Sequence, residues 1–191
     1  MKTNGIALED IVAIVPKYIE LRGNCTIAYD PEGQSYEIYR TVSTVLNWLA
    51  EYYLVDLRAA RGFSANILAI RNLPPIPFNM ENVFVPVKVR KPLFRNDGSF
   101  GYVNIEYVED IMEEDATYIN LNNGVSIRCL CSLPTVSRHI RNGHIIKKFW
   151  EGRSPVQTEE TDLYGEYNQP ATKWDIALLR EEIMKMRETI R

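Results

Sequence analysis

Short apolar runs separated by polar turn residues dominate the first forty residues. The runs "DIVAIV", "CTIAY" and "SYEIYR" are rich in β-branched and aromatic residues, and "RGN" and "DPEG" separate them as turn signals. The period then changes in "TVSTVLNWLAEYYLV", where the apolar residues fall on one helical stripe and Thr41 or Ser43 can cap the start. The pattern predicts strands followed by a helix.

Strand-like patterns return after this helix. We interpret "RGFSA" as a loop, "ANILAIR" as a strand and "NLPPIPFN" as an extended connection, because proline removes an amide donor and restricts its predecessor. The alternation in "VFVPVKVRKP" predicts a half-buried strand, in which Pro86 suits an edge or a bulge. "NDGSFG" then predicts a turn, and "YVNIEYVEDI" leads back into the sheet.

The remaining segments predict a hairpin and two helices. In "TYINLNNGVSIRCLC" the Asn-Gly pair favours a type I′ turn. "LPTVSRHIRNG" predicts a short helix that starts at Pro134 and ends before Gly143, and "HIIKKFW" either extends or follows it. "TKWDIALLREEIMKMRETIR" predicts an amphipathic helix, suited to an oligomer or a partner helix. Its a/d positions are Ile176, Leu179, Ile183, Met186 and Ile190.

These elements indicate an α+β protein, built mainly from antiparallel β hairpins and sheets with a few short helices and a C-terminal amphipathic helix. We predict a β-rich region over residues 1–150, an acidic linker over 151–171 and a helix over 172–191. "GIALEDIVAI" and "YVNIEYVEDI" share an apolar–acidic pattern, and each precedes a predicted hairpin and helix. This repetition suggests two related halves, residues 1–78 and 79–150.

Composition favours a soluble protein of the cytoplasm. Hydrophobic residues make up 46% and charged residues 25% of the 191-residue chain, as in ordinary globular proteins. The apolar runs fall far short of the roughly 20 residues that a membrane span needs, and the N-terminus lacks the apolar core of a signal peptide. Three cysteines do not make a disulfide framework. We expect no membrane association.

Charge is unevenly distributed, although the formal net charge is only −3. Seven cations stand against Glu81 alone between residues 57 and 96, and residues 138–153 are also basic, so the chain can carry a basic face that a polyanion would meet. The alternative is a pair of solvated basic loops. The candidate DNA-binding residues are Arg58, Arg61, Lys88, Arg90, Lys91, Arg95, Arg138, Arg141, Lys147 and Lys148.

Motifs for catalysis or cofactor binding are absent from the sequence. It contains no P-loop, no dinucleotide-binding glycine motif and no nucleophile elbow. Cys129 and Cys131 with His139 and His144 offer zinc-type ligands, but their spacing is not that of a known finger, and buried structural cysteines are the preferred interpretation. The acidic run "EYVEDIMEEDATY" lacks an EF-hand pattern and is interpreted as a solvated face. We predict no enzyme, no metal and no cofactor.

Several short motifs follow one another in a characteristic order: an Arg-Gly segment ("RAARGF"), the connection "LPPIPFN", a strand ending in a basic proline turn ("VKVRKP"), "GY", and an Asn-Gly hairpin leading to "LPTVS". This order resembles that of the ComK-type competence transcription factor family. The resemblance covers about residues 6–150, while the segment after "LPTVS" and the linker differ. A weaker similarity links "VNIEYVEDIMEEDATYINLNNGVSIRC" to the opening of LytTR-type DNA-binding domains.

The resemblance implies a sequence-specific activator of competence genes that binds A·T-rich double-stranded DNA, through the minor groove and as a homo-oligomer. It also implies that a proteolytic adaptor reads the C-terminal region. A second hypothesis is a protein-interaction module, in which the a/d helix and a basic loop contact a partner protein without DNA binding.

Overall fold

Eleven strands, three α-helices and two 3-10 helices make up the part of the chain that a computed structural model describes, residues 2–3, 5–95 and 97–152. The strands are β1 (Lys2–Thr3), β2 (Ile6–Ala7), β3 (Ala13–Ile19), β4 (Gly23–Tyr29), β5 (Ser35–Ile38), β6 (Ile76–Pro77), β7 (Val83–Lys88), β8 (Phe100–Asn104), β9 (Val108–Glu113), β10 (Thr117–Leu121) and β11 (Ser126–Cys129). The helices are α1 (Val42–Tyr52), α2 (Leu57–Leu68) and α3 (Leu133–Glu151), with 3-10 helices at Leu8–Asp10 and Ile105–Tyr107.

Every strand pairing in the described residues is antiparallel. The main sheet has the order β5-β4-β3-β8-β7-β6, a second sheet has the order β11-β10-β9, and β1 pairs with β2. Antiparallel sheets with separate helices define an α+β protein, so the predicted fold class is confirmed.

The six-stranded sheet is covered on both faces. One face packs Ile14, Ala28 and Phe84 against α1, and the other packs Val85 and Val103 against α3 and the three-stranded sheet. All of β7 from Val83 through Val87 is therefore buried, and the half-buried strand that alternation predicted is wrong. Pro86 lies beyond the reach of β6, which pairs only with the first two residues of β7.

The first predicted helix is confirmed as α1. The Thr41 side chain accepts a hydrogen bond from the Thr44 amide, 3.4 Å away, and so satisfies one of the amides that lack a partner in the first turn. The buried residues of α1 are Val42, Val45, Leu46, Leu49 and Ala50, which follow the helical period.

Helix α2 contradicts the loop and strand predicted for "RGFSA" and "ANILAIR". Asp56 caps its start through the Ala59 amide at 2.7 Å, and Ala69 ends it in the left-handed conformation with φ 51°. Ala60 and Ser64 are buried, and Phe63 packs against the core on the α3 side of the main sheet. The buried residues of this stretch therefore follow a helical period. The isoleucines of "ANILAIR" suggested a strand, but the cap and the packing favour a helix.

Helix α3 is longer than the predicted short helix and includes "HIIKKFW". Pro134 lies in its first turn, as predicted. Gly143 is buried inside the helix rather than just past its end. A β-carbon at Gly143 would lie 2.6 Å from Ile105 Cγ2 and 2.7 Å from Val85 Cγ1, so glycine allows α3 to approach the sheet closely.

The β10–β11 hairpin is confirmed, but its predicted type I′ turn is wrong. Gly124 has a φ of 81°, whereas Asn122 and Asn123 do not have positive φ values, which a type I′ turn requires at both central residues. The Leu121 amide donates to the Val125 carbonyl at 2.8 Å and closes a three-residue loop. Such loops place one residue, here glycine, in the left-handed region.

The two stretches with the shared apolar–acidic pattern have the same local structure. In each, a strand runs into a 3-10 helix and then into a three-stranded meander and an α-helix: β2 to α1 in the first, β8 to α3 in the second. The second turns of the two meanders also touch, since the Asn123 side-chain amide donates to the Asp30 carbonyl at 2.7 Å. The two stretches thus share one order of elements and meet at matching turns.

The predicted linker over 151–171, apart from its first two residues, and the predicted helix over 172–191 lie outside the described residues. The a/d residues assigned to that helix therefore stay predictions. Among the described helices, none combines the length and the apolar character that crossing a membrane would take.

Candidate nucleic-acid interface

The loop between β7 and β8 continues from the end of β7 at one end of the six-stranded sheet. The Val89 amide donates to the Ser99 carbonyl at 3.0 Å and continues the ladder into the loop. Residues 91–95, "KPLFR", are all exposed. The buried strand β7 is therefore followed, in the loop, by five consecutive solvent-exposed residues, two of which are cations.

The β3–β4 hairpin holds this loop in place. The Tyr18 hydroxyl donates to Asp97 Oδ2 at 2.5 Å and accepts a hydrogen bond from the Leu93 amide at 2.7 Å. The Asn24 side-chain amide donates to the other Asp97 oxygen at 3.2 Å. Because the exposed stretch is held at its middle residue, Leu93, and again at Asp97 just beyond it, the loop presents its side chains from a tethered backbone.

Arg90 belongs to this tether. Its Nε donates to the Gly98 carbonyl at 2.8 Å, its Nη2 donates to Asn24 Oδ1 at 2.5 Å, and its guanidinium lies 4.1 Å from the centre of the Tyr18 ring. Its Nη1 is buried and has no hydrogen-bond partner among the described residues. The side chain is thus engaged by the protein itself, and we no longer count Arg90 among the candidate DNA contacts.

The other cations of this strand and loop are free of ion pairs with any described residue. Lys91 and Arg95 are exposed on the loop, and Lys88 is half-buried at the end of β7, where its carbonyl accepts the Leu130 amide at 2.7 Å. Lys91 and Arg95 are therefore exposed and are not paired with any described acid, as a phosphate contact needs.

Helix α2 carries the second predicted pair. Arg58 is exposed in the first turn, and Arg61 Nη2 lies 3.5 Å from the Tyr102 hydroxyl. The Tyr102 side chain packs against the core between the main sheet and α1. Arg61 consequently lies over the α1 face of the main sheet.

Helix α3 presents the third group. Arg138, Arg141 and Lys148 are exposed and fall on one helical stripe. Lys147 differs, because its ammonium lies 2.7 Å from a Glu106 carboxylate oxygen and 3.8 Å from Glu151. We therefore remove Lys147 from the candidate DNA contacts as well.

The structure does not bring all the predicted cations together. Those of α3 lie on the helix that covers the Val85 face, whereas Arg61 lies over the opposite, Tyr102 face. The β7–β8 loop occupies an end of the sheet between these faces. The candidate interface is therefore defined as the exposed loop residues 91–95, with Lys88 behind them.

A cavity of about 170 Å³ adjoins the tether. Apart from the cap predicted at Thr41, no pattern in the sequence indicated a cavity here. It is lined by Pro16, Asn24, Arg90 and Gly98 together with residues 41–43, the start of α1. The tether itself was missed because Tyr18 and Asn24 are distant from the loop in sequence.

The cysteines and histidines form no ligand site in the described residues, where no group of three or more His, Cys, Asp or Glu could hold a metal ion. Burial raises the pKa of the Cys129 thiol to about 12, which keeps it protonated. Burial, together with the nearby Arg138, lowers the pKa of His139. Both residues lie in the core, so the predicted burial is confirmed for Cys129, whereas Cys131, for which burial was also predicted, is only half-buried.

Comparison with protein-family models, with curated proteins and with solved structures finds no match to this chain. The resemblance to the ComK-type family therefore stays a prediction from sequence motifs.

Proposed function

We propose that this chain is a DNA-binding transcription regulator of the competence-factor type, active in the cytoplasm, which contacts A·T-rich duplex DNA through the β7–β8 loop. The observation that carries the proposal is the tethered loop itself. Lys91 and Arg95 stand on a backbone fixed by Tyr18 and Asp97, and neither is paired with a described acid.

Physical reasoning supports this use of the loop. Cations held on a fixed backbone bind phosphates at a lower entropic cost than cations on a mobile segment, and release of condensed counterions supplies much of the affinity for DNA. A β-ribbon or its loop is also of a size that enters a DNA groove. Arg138, Arg141 and Lys148 offer a second set of phosphate contacts.

The finer points of the proposal rest on the family resemblance. They are activation of transcription, preference for A·T-rich sequence, homo-oligomer formation and recognition of the C-terminal region by a proteolytic adaptor. An arginine in a narrow minor groove would read A·T-rich shape without a base code, which is consistent with one arginine at the loop tip.

Fluorescence anisotropy with labelled A·T-rich and G·C-rich duplexes tests the proposal. We expect salt-dependent binding of both duplexes with higher affinity for the A·T-rich one. Failure of the full chain to bind either duplex at low salt would reject the proposal. Salt-dependent binding to an acidic protein without duplex binding would favour the interaction-module hypothesis.

A further inference from the structure

The tip of the β7–β8 loop carries two large apolar side chains in water. Leu93 is 69% and Phe94 73% exposed, directly between the cations Lys91 and Arg95. We propose that Leu93 and Phe94 form an apolar wedge that inserts between stacked base pairs of a duplex and kinks it. This inference rests on the proposed function and adds the way in which the loop engages DNA.

The backbone on either side of the wedge is held. The Leu93 amide donates to the Tyr18 hydroxyl at 2.7 Å, and the Phe94 carbonyl accepts the Asp97 amide at 3.0 Å. Pro92 restricts the backbone just before the pair. Because the tip is ordered before it binds, little entropy is lost on insertion, and the binding energy can offset the cost of unstacking a base step.

The flanking charges favour a nucleic acid as the occupant. Lys91 and Arg95 bracket the apolar pair, so an inserted wedge has a cation on each side to meet phosphates of the opened step. A lipid surface is less well matched, because two side chains supply little apolar area and stable membrane anchoring takes more than one weak signal. Flexible pyrimidine–purine steps, common in A·T-rich DNA, are the easiest to unstack.

The experiment uses the full chain with short A·T-rich duplexes that carry 2-aminopurine at successive positions, since this base brightens when it is unstacked. We expect wild-type protein to raise the fluorescence at one step. The Leu93→Ala/Phe94→Ala variant should lose this signal and bind about tenfold more weakly, while its salt dependence is unchanged because the cations remain. Phe94→Leu should keep the signal, since leucine is also an apolar wedge.

Leu54→Ala is the matched control. Leu54 is another highly exposed leucine, at 93%, on the connection between α1 and α2. The Leu54→Ala variant should bind and unstack DNA like the wild type. Circular dichroism of each variant should match the wild type, since the substituted side chains are exposed.

The outcomes separate the wedge from DNA binding itself. Wild-type binding without any fluorescence change, or wild-type affinity in the double variant, rejects the wedge and leaves the proposed function standing. Absence of wild-type binding to any duplex rejects the proposed function. Wild-type binding to phosphatidylserine vesicles that the double variant loses, with no duplex binding, would assign the tip to a membrane surface and overturn the inference.

Discussion

Replacing Gly143 with alanine tests how α3 docks on the main sheet. The glycine is buried in the middle of the helix, where alanine is intrinsically better by about 1 kcal/mol. In this structure the added β-carbon would lie 2.6 Å from Ile105 Cγ2 and 2.7 Å from Val85 Cγ1. Packing and helix propensity therefore oppose each other at this residue.

Packing should win. Ile105 and Val85 are 2% and 0% exposed, and their β-branched side chains cannot rotate the crowded methyl groups away at low cost. Overpacking of this kind typically costs about 1–3 kcal/mol. Both contacts fall below 3 Å, so the cost should lie in the upper part of that range, at about 2–3 kcal/mol. With the helix-propensity gain of about 1 kcal/mol subtracted, we expect Gly143→Ala to lower the free energy of unfolding by about 1–2 kcal/mol.

Gly62→Ala is the matched control, because Gly62 lies inside α2 and a β-carbon there meets nothing within 4 Å. It should raise the free energy of unfolding by about 0.5–1 kcal/mol. Urea unfolding followed by tryptophan fluorescence measures both variants. A Gly143→Ala protein as stable as the wild type would refute the close approach of α3, and a destabilised Gly62→Ala protein would refute the helical assignment of α2.

Three further predictions concern Arg90, His139 and Cys129. Arg90→Ala should lower the free energy of unfolding by about 1–3 kcal/mol in urea titrations, because two hydrogen bonds and the Tyr18 contact are lost; Arg90→Lys should not restore it, since lysine lacks the planar fork. Burial lowers the pKa of His139 from 6.5, so the folded state takes up its proton at lower pH than the unfolded state. Stability should then decline as the pH falls below about 6.5, and His139→Leu should flatten that decline in urea titrations at stepped pH. Because the pKa of Cys129 is raised to about 12, its thiol should react with a disulfide reagent at pH 8 only after unfolding, as measured in a Cys131→Ser variant because Cys131 is only half-buried; reaction of Cys129 in that native variant would contradict its burial.

Local patterns predicted the elements whose signals are contained within a few residues. The helical stripe after Thr41 and the hairpin around Gly124 are examples, since a cap or a turn glycine acts on its immediate neighbours. The strand predicted at "ANILAIR" failed because Ile67 and Ile70 have high β propensity while the deciding cap, Asp56, lies well before them. Tertiary packing then overrode propensity.

The roles of individual cations depended on partners far away in the chain. Arg90 is separated from Asn24 by 66 residues, and no local pattern links them. Lys147 pairs with Glu106 in a different element. Counting charges along the sequence therefore identified the basic segments, but it could not tell which cations are already bound to other residues of the protein. Excluding those cations limits the candidate interface to residues 91–95 with Lys88 behind them.

A salt titration of duplex affinity tests most directly the claim that Lys91 and Arg95 contact phosphates. The Lys91→Ala/Arg95→Ala variant is compared with Lys17→Ala/Arg128→Ala, which removes the same charge from two exposed ion pairs outside the loop. The account predicts that the slope of log affinity against log salt becomes shallower by about 2 in the loop variant and stays at the wild-type value in the control. Equal slopes and affinities in the wild type and the loop variant would contradict it.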